Sequence, residues 1–497
     1  MIMFPIPNAA QPSFDVQAMR ERTEKAPVWV HFGAGNIFRG YIAMLQDELL
    51  NKGLSDKGVI AAESFDPEII EAVYRPYDNH TLLVTLCPDG STRLDVSASV
   101  AEALAAVPGT PDYDRLVAVM EAQSLQMISF TITEKGYRGP AMELLAGLMH
   151  KRYRAGGAPL ALVSMDNCSG NGDLLREAVL EEAKKMNDSG FLAYLSDPSR
   201  VSFPWSMIDK ITPAPSPAVQ KTLPGPTDWS PVRTAKGTAI APFVNAEAPQ
   251  YLVVEDSFPN GRPPLEKAGV YFTDRDTVRK AERMKVTACL NPLHTALAVF
   301  GSLFRVGSIA GCMKDGDLAA LVRRVGYDEG LPAVEHPGIF EPRDFIDEVV
   351  TQRLVNPFLP DTPQRIASDT SQKIPFRFGE TIKAYAGRDD LSVDTLVAIP
   401  LVLAGWVRYL LEVGDDGLPM ELSPDPMLPR LKDALREVRF GDPSTAGKAR
   451  AVFSDAGLFG CDIYAAGLGG RCEEHLAAML TGPGAVRLRL RNAICNL

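Results

Sequence analysis

Residues 28–53, VWVHFGAGNIFRGYIAMLQDELLNKG, constrain the fold more than any other stretch of the chain. Val28, Trp29, Val30 and Phe32 form a short β-prone run that Gly33 and Gly35 break, and helical periodicity follows from Ile42 to Leu50. Strand, glycine turn and helix in that order leave backbone bare enough to touch a pyrophosphate. The helix N-terminus then aims its free N–H groups at the anion. A strict G-x-G-x-x-G would need glycine at 38, where this chain has Phe38 and a third glycine only at Gly40. The candidate cofactor turn is therefore Gly33, Gly35, Asn36, Ile37, Phe38 and Arg39. Arg39 reads either as a further phosphate contact or as an ordinary surface arginine. A second apolar run, 58–62, ends in Glu63, where an acid can accept hydrogen bonds from ribose hydroxyls and repel a 2′-phosphate. That favours NAD over NADP, with Asp66 as the competing acid.

Strand candidates continue at 81–86, 92–98, 127–132 and 160–165, with helical patterns at 114–122, 140–152 and 173–187 between several of them. This alternation predicts an α/β domain: a Rossmann-like, doubly wound, mainly parallel sheet covered on both faces. The Pro-rich stretch 203–273 reads as irregular structure and extra strands completing that domain. After Thr273 long helical segments dominate, so the expected division is a cofactor domain over 1–273 and a mainly helical substrate domain over 274–497.

The net charge of −11 leaves no basic stripe for nucleic acid and discourages binding to anionic membranes. No run of about 20 uncharged apolar residues suggests a membrane span, and the first residues lack the basic-then-apolar pattern of a signal peptide. The seven cysteines are scattered, without a CxxC pair, which points to reduced cytoplasm and to no structural zinc site. The length permits a working monomer.

Chemistry concentrates in ERMKVTACLNPLHTALAVFG (282–301). Lys285, Asn291 and His294 are polar residues in an otherwise apolar stretch, and burying a lysine is costly without a purpose or a partner. Each has a plain structural alternative: a snorkelling lysine, a helix cap before Pro292, a satisfied core histidine.

Taken with HFGAGNIFRG (31–40), SMDNCSGNG (164–172), FPWSMIDKITP (203–213) and RLVNP…DTSQKIPFR (353–377), this helix resembles the polyol-specific long-chain dehydrogenase/reductase family. The family includes enzymes of neutral polyols and of hexuronates. The resemblance implies metal-independent hydride transfer to NAD, with Lys285 as acid/base, His294 orienting the reacting oxygen and Asn291 donating to the oxyanion. A second donor comes from DNxxxNG, where Asn167 and Asn171 are both candidates; Asn167, at the carboxyl edge of a predicted strand, is favoured. A non-catalytic NAD-binding redox sensor is the alternative of another class, but a sensor needs no proton carrier.

One departure from the family's spacing stands out. Five residues, Val286 to Leu290, separate Lys285 from Asn291, where the family has four. At about 100° per residue, Lys285 and His294 would face nearly opposite sides of an unbroken helix. Pro292 favours a kink or π-bulge that absorbs one residue, so the helix is expected to be irregular there. For the substrate, an acid requires a cation. Arg353, Arg365, Lys373 and Arg377 supply four within 25 residues, the last three being the candidate substrate-binding residues. They tilt the expectation to a hexuronate or its reduced aldonate. The resemblance, with ITEKGYRG (132–139) and FPWSMIDKITP (203–213), implies D-fructuronate and D-mannonate, with tagaturonate/altronate and fructose/mannitol as alternatives.

Overall fold

The computed structural model describes residues 6–132, 134–225 and 228–494. The chain forms two compact units. The first runs to Arg279 without Pro88–Gly90, and the second comprises Pro88–Gly90 and the chain from Lys280.

Six parallel strands make the main sheet of the first unit: β1 (Trp29–Phe32), β2 (Val59–Glu63), β3 (Val100–Ala105), β4 (Met127–Phe130), β5 (Leu160–Ser164) and β6 (Val201–Ser202). Their order across the sheet is β3-β2-β1-β4-β5-β6, the doubly wound order of dinucleotide-binding folds. Every residue of β1, β2, β4 and β5 is buried, which explains why these strands read as continuous apolar runs rather than alternating ones. Successive side chains feed opposite faces. Val30, Phe32, Ile128 and Leu162 enter one core with Leu145 and Met149, while Trp29, Ala61, Met127 and Val163 enter the other with Leu45 and Leu49.

The strands expected at 81–86 and 92–98 do not join this sheet. Thr81–Leu86 and Thr92–Ser97 pair antiparallel with each other, and Phe243–Glu247 adds in parallel to the first. The connection between them is too short for the crossover that parallel pairing needs. Within the Pro-rich stretch, Ser206–Asp209, Tyr251–Glu255 and Tyr271–Thr273 form a third small sheet.

The second unit is helical, with no named strand among its described residues. At its centre lies Asn291–Leu303, packed against Ala398–Tyr409, Gly316–Arg323 and Pro363–Ala367. All of Ala398–Tyr409 is buried. Gly405 permits the close approach, since a Cβ there would stand 2.8 Å from the Phe300 ring. The run Arg275–Leu303 has the length and hydropathy of a membrane span, but 78% of its apolar window is buried inside the protein, as in a core helix.

Candidate active site

The glycines of the cofactor turn divide their work by geometry. Gly33 has φ +105°, and a Cβ on it would stand 2.9 Å from the Thr131 carbonyl oxygen, so only glycine fits. Around Gly35 a Cβ would meet nothing within 4 Å, leaving open space directly before the helix that begins at Asn36. Gly40 packs that helix closely, its missing Cβ leaving room for Val244 at 2.8 Å. A π-turn over Phe38–Ile42 lies between the turn and Ala43–Asn51.

The side chains expected to touch the cofactor are turned to another purpose. Arg39 is fully buried and donates through Nη1 and Nη2 to the Ala241 carbonyl at 2.9 and 2.8 Å; burial pulls its pKa down to about 10. It is neither a surface residue nor a phosphate contact. Phe38 is buried and stacks on His31 with ring centroids 4.5 Å apart, so only its main chain is left to the turn. His31 bonds Ser129 and Thr131, and burial holds its pKa down at about 3, so it is a neutral core histidine.

Glu63 spends its carboxylate on the backbone: Oε2 accepts from Ala34 N at 2.8 Å, and Oε1 from Phe65 N and Asp66 N at 2.8 and 3.0 Å. Asp66 Oδ2 accepts from the hydroxyls of Thr234 and Thr238, each at 2.6 Å. Both acids brace the loops around the turn. Tyr74, unmarked in the sequence, adds a third brace by donating to the Ala34 carbonyl at 2.9 Å.

A cavity of about 430 Å³ opens at the carboxyl ends of β1, β4 and β5, where the strand order reverses. Ile37, Thr131, Met165, Asp166, Asn167 and Lys210 are among its walls. This is the crevice in which open α/β sheets bind ligands, and its size suits a small molecule. The two candidate asparagines separate here. Asn167 lines the cavity. Asn171 is 1% exposed; its Nδ2 donates to the Ser164 and Ser206 carbonyls at 3.1 and 3.2 Å, and its Oδ1 accepts from Ser206 N at 3.0 Å. It stitches β5 to Ser206–Asp209, and its role as oxyanion donor is corrected accordingly. Asp166 anchors the same turn, accepting from Tyr137 Oη at 2.6 Å and from Cys168 N at 2.9 Å.

In the second unit the helix from Arg275 breaks where the extra residue lies. Lys285–Cys289 is a π-turn closed by Leu290 N donating to the Lys285 carbonyl at 3.2 Å, five residues back. The α-helix resumes at Asn291. Pro292 lacks the N–H that would continue the α-ladder, and the Thr287 carbonyl is satisfied from outside by Thr381 Oγ1 at 3.1 Å. The π-turn absorbs one residue, so Lys285 and His294 stand about 80° apart around the axis instead of about 180°. Lys285 is 8% exposed. The π-turn packs against another, Pro375–Gly379, which carries Arg377.

The basic candidates differ sharply. Arg353 is 2% exposed, at the end of the π-turn Val349–Arg353. The Arg365 side chain is 60% exposed and pairs with Asp361 one turn away. Lys373 donates to the Ile366 and Ser368 carbonyls. Arg377 donates from Nη1 to Thr295 Oγ1 at 2.6 Å, and burial pushes its pKa down to about 10. Among the described residues no group of three His, Cys, Asp or Glu side chains could hold a metal ion, and no cysteine is in a disulfide. Cys495 lies outside the described residues.

A doubly wound sheet with a glycine turn after β1, followed by a helical unit with a lysine-bearing helix, defines a two-domain dehydrogenase. The chain belongs to the mannitol dehydrogenase family: residues 27–267 match its Rossmann domain and residues 277–465 its C-terminal domain. It is 48% identical to a protein of Thermotoga maritima named D-mannonate oxidoreductase, over 97% of this chain and 95% of that one. It is 28% identical to a mannitol 2-dehydrogenase of Cereibacter sphaeroides, over 87% of this chain and 89% of the relative. Among solved structures, a substrate-free D-sorbitol dehydrogenase aligns with a TM-score of 0.79 at 22% identity, covering 98% of each chain. A Pseudomonas fluorescens mannitol 2-dehydrogenase in complex with NAD and D-mannitol aligns with a TM-score of 0.68 at 23% identity, covering 99% of this chain and 98% of that one. At those identities the two structures establish the shared fold.

Proposed function

We propose that this chain is an NAD-dependent oxidoreductase that interconverts D-mannonate and D-fructuronate, with Lys285 as the acid/base. The observation that supports the reading is the π-turn at Lys285–Cys289, which takes up the extra residue between the buried Lys285 and Asn291. Such a turn breaks the helical ladder, and π-bulges recur at functional sites. The choice of substrate is supported by the 48% identity to the Thermotoga protein named for mannonate.

The glycine turn fits a dinucleotide: Gly33 makes the bend, and the empty space at Gly35 admits a pyrophosphate to the backbone N–H groups at the start of the helix. When bound, NAD supplies the hydride acceptor. In the oxidative direction Lys285 takes the hydroxyl proton as the carbinol carbon gives up hydride, and in reduction it returns that proton. Asn291 donates N–H to the developing oxyanion without bringing a competing charge, and His294 orients the oxygen.

The test is NADH oxidation by the purified protein offered D-fructuronate, D-tagaturonate and D-fructose in parallel, with NADPH as the coenzyme control. The expected result is turnover of D-fructuronate with NADH, at a kcat/KM at least tenfold above the other two sugars. D-Fructose as the best substrate would overturn the mannonate assignment, and silence on all three would overturn the catalytic reading.

A further inference from the structure

Three cations of the second unit were candidates to hold a substrate carboxylate, and their surroundings leave one of them able to do so. The charge of Arg365 is neutralised by Asp361 on an exposed helix face, where an ion pair of this kind is screened and weak. The ammonium of Lys373 closes off the carbonyls of Ile366 and Ser368 at the end of Pro363–Ala367, a capping role. Arg377 has no carboxylate within ion-pair distance among the described residues, and its one protein acceptor is the neutral hydroxyl of Thr295. A guanidinium carries five N–H donors. Arg377 is only partly buried, and none of its remaining nitrogens is both buried and without a partner, so its guanidinium keeps donors open to a ligand.

Its position supplies a second reason. Thr295 directly follows His294, is 2% exposed, and bonds the Asn291 carbonyl through Oγ1 at 3.0 Å. One hydroxyl thus ties Arg377 to the turn of helix that carries both Asn291 and His294. Burial and the neighbouring charge of Arg377 also hold the Lys373 pKa below its ordinary value. An anion beside the pair would relieve that repulsion.

We propose that Arg377, held by Thr295, is the residue that binds the substrate's carboxylate and so selects a sugar acid over a neutral sugar. The free edge of its guanidinium matches the two oxygens of a carboxylate, a bidentate arrangement that a neutral hydroxymethyl group cannot reproduce. Thr295 is a positioning residue that fixes the direction in which the guanidinium points. The proposal rests on the oxidoreductase reading above, but binding of the acid can be measured without turnover.

The experiment compares wild type with Arg377→Met, Arg377→Lys and Thr295→Val, and with Arg365→Met and Lys373→Met as comparison variants. Two readouts are used: kcat/KM for D-fructuronate relative to D-fructose with NADH, and calorimetric titration with D-mannonate and D-mannitol. Arg377→Met is expected to cut the fructuronate-to-fructose ratio by about 10- to 100-fold, chiefly through KM. It should weaken mannonate binding alone and leave NADH binding, read by fluorescence quenching, unchanged. Arg377→Lys should recover part of the ratio. The isosteric Thr295→Val, which keeps the charge, should lower it by less, and Arg365→Met should change it less than threefold. A ratio that survives Arg377→Met, or falls instead with Arg365→Met or Lys373→Met, overturns the assignment. Should no sugar acid be turned over, the parent reading fails while titration still decides: mannonate binding retained in Arg377→Met overturns the anchor, and binding lost there supports it.

Discussion

The glycine turn of the first unit and the broken helix of the second solve opposite problems. In the first, the backbone is the proposed binding surface and the polar side chains hold its loops in place. Arg39, Glu63, Asp66 and Tyr74 all point inward to hold loops around Gly33–Gly35 in place. In the second, the proposed chemistry falls to side chains, and the backbone that carries them gives up regular hydrogen bonding. The Lys285–Cys289 π-turn and the Thr381 hydroxyl that satisfies its Thr287 carbonyl are the structural concessions. A charged residue near a binding turn is therefore as often a brace as a ligand.

The largest effect expected from this contrast is at Lys285. Lys285→Met removes the proton carrier but keeps an apolar stem of similar length. It should lower kcat by about 10²- to 10⁴-fold, the range for loss of a general acid or base. NADH binding, followed by fluorescence, should be unchanged, since the proposed cradle for the coenzyme is the backbone of the first unit. A kcat within tenfold of wild type would remove the lysine from the reaction and return it to the status of a buried structural residue.

The next comparison separates two glycines only two positions apart. Gly33→Ala forces a Cβ to 2.9 Å from the Thr131 carbonyl oxygen in a backbone with φ +105°, so the fold itself must yield. A strained residue of this kind costs on the order of 1–3 kcal/mol, and the contact adds to it. Thermal denaturation should show a lowered Tm. Gly35→Ala meets nothing within 4 Å and should fold with a Tm near wild type, yet bind NADH about tenfold or more weakly because its methyl fills the space left for phosphate. Equal stability losses in the two variants, or undiminished NADH binding in Gly35→Ala, would break the division of labour between bend and cradle.

Much of this architecture is legible in the sequence, for reasons that differ by region. Buried parallel strands read as unbroken apolar runs, so β1, β4 and β5 stand out, and Lys285 stands out as a charge in an apolar helix. The break in the second unit's helix is legible as well. A spacing of nine and a proline at 292 are local facts, and they foretell a break in the helix between Lys285 and His294. The side-chain partners of the glycine turn are not legible, because they are set by contacts distant in sequence. Arg39 finds the Ala241 carbonyl about two hundred residues away, and Asp66 finds Thr234 and Thr238. The two asparagines of DNxxxNG look alike in sequence, and only the strand Ser206–Asp209, reached through a Pro-rich stretch, decides that Asn171 is used up. The hairpin at 81–97 misreads for a simpler reason: apolar strands carry no mark of which sheet they will join.

The smallest effect tests whether the first unit's buried acids are structural. Asp47, in the helix after the glycine turn, is 2% exposed; its Oδ1 accepts from Ala98 N at 3.0 Å, and its other oxygen meets the Ser97 hydroxyl. Burial, only partly offset by these hydrogen bonds, raises its pKa to about 7. An acid whose folded pKa lies above the unfolded value of about 3.9 favours folding most below that unfolded pKa. Its contribution declines as pH rises, because the unfolded chain ionises first, and is spent once pH passes the folded value near 7. Asp47→Asn mimics the protonated acid at every pH, donating to Ser97 and accepting from Ala98. The difference in Tm between Asp47→Asn and wild type should therefore be larger at pH 8 than at pH 5, by a few degrees, with all other titrating groups cancelling in the comparison. A difference that does not change with pH would mean that Asp47 ionises in the folded chain as freely as in water, and that the brace between this helix and residues 97–98 is a charged one.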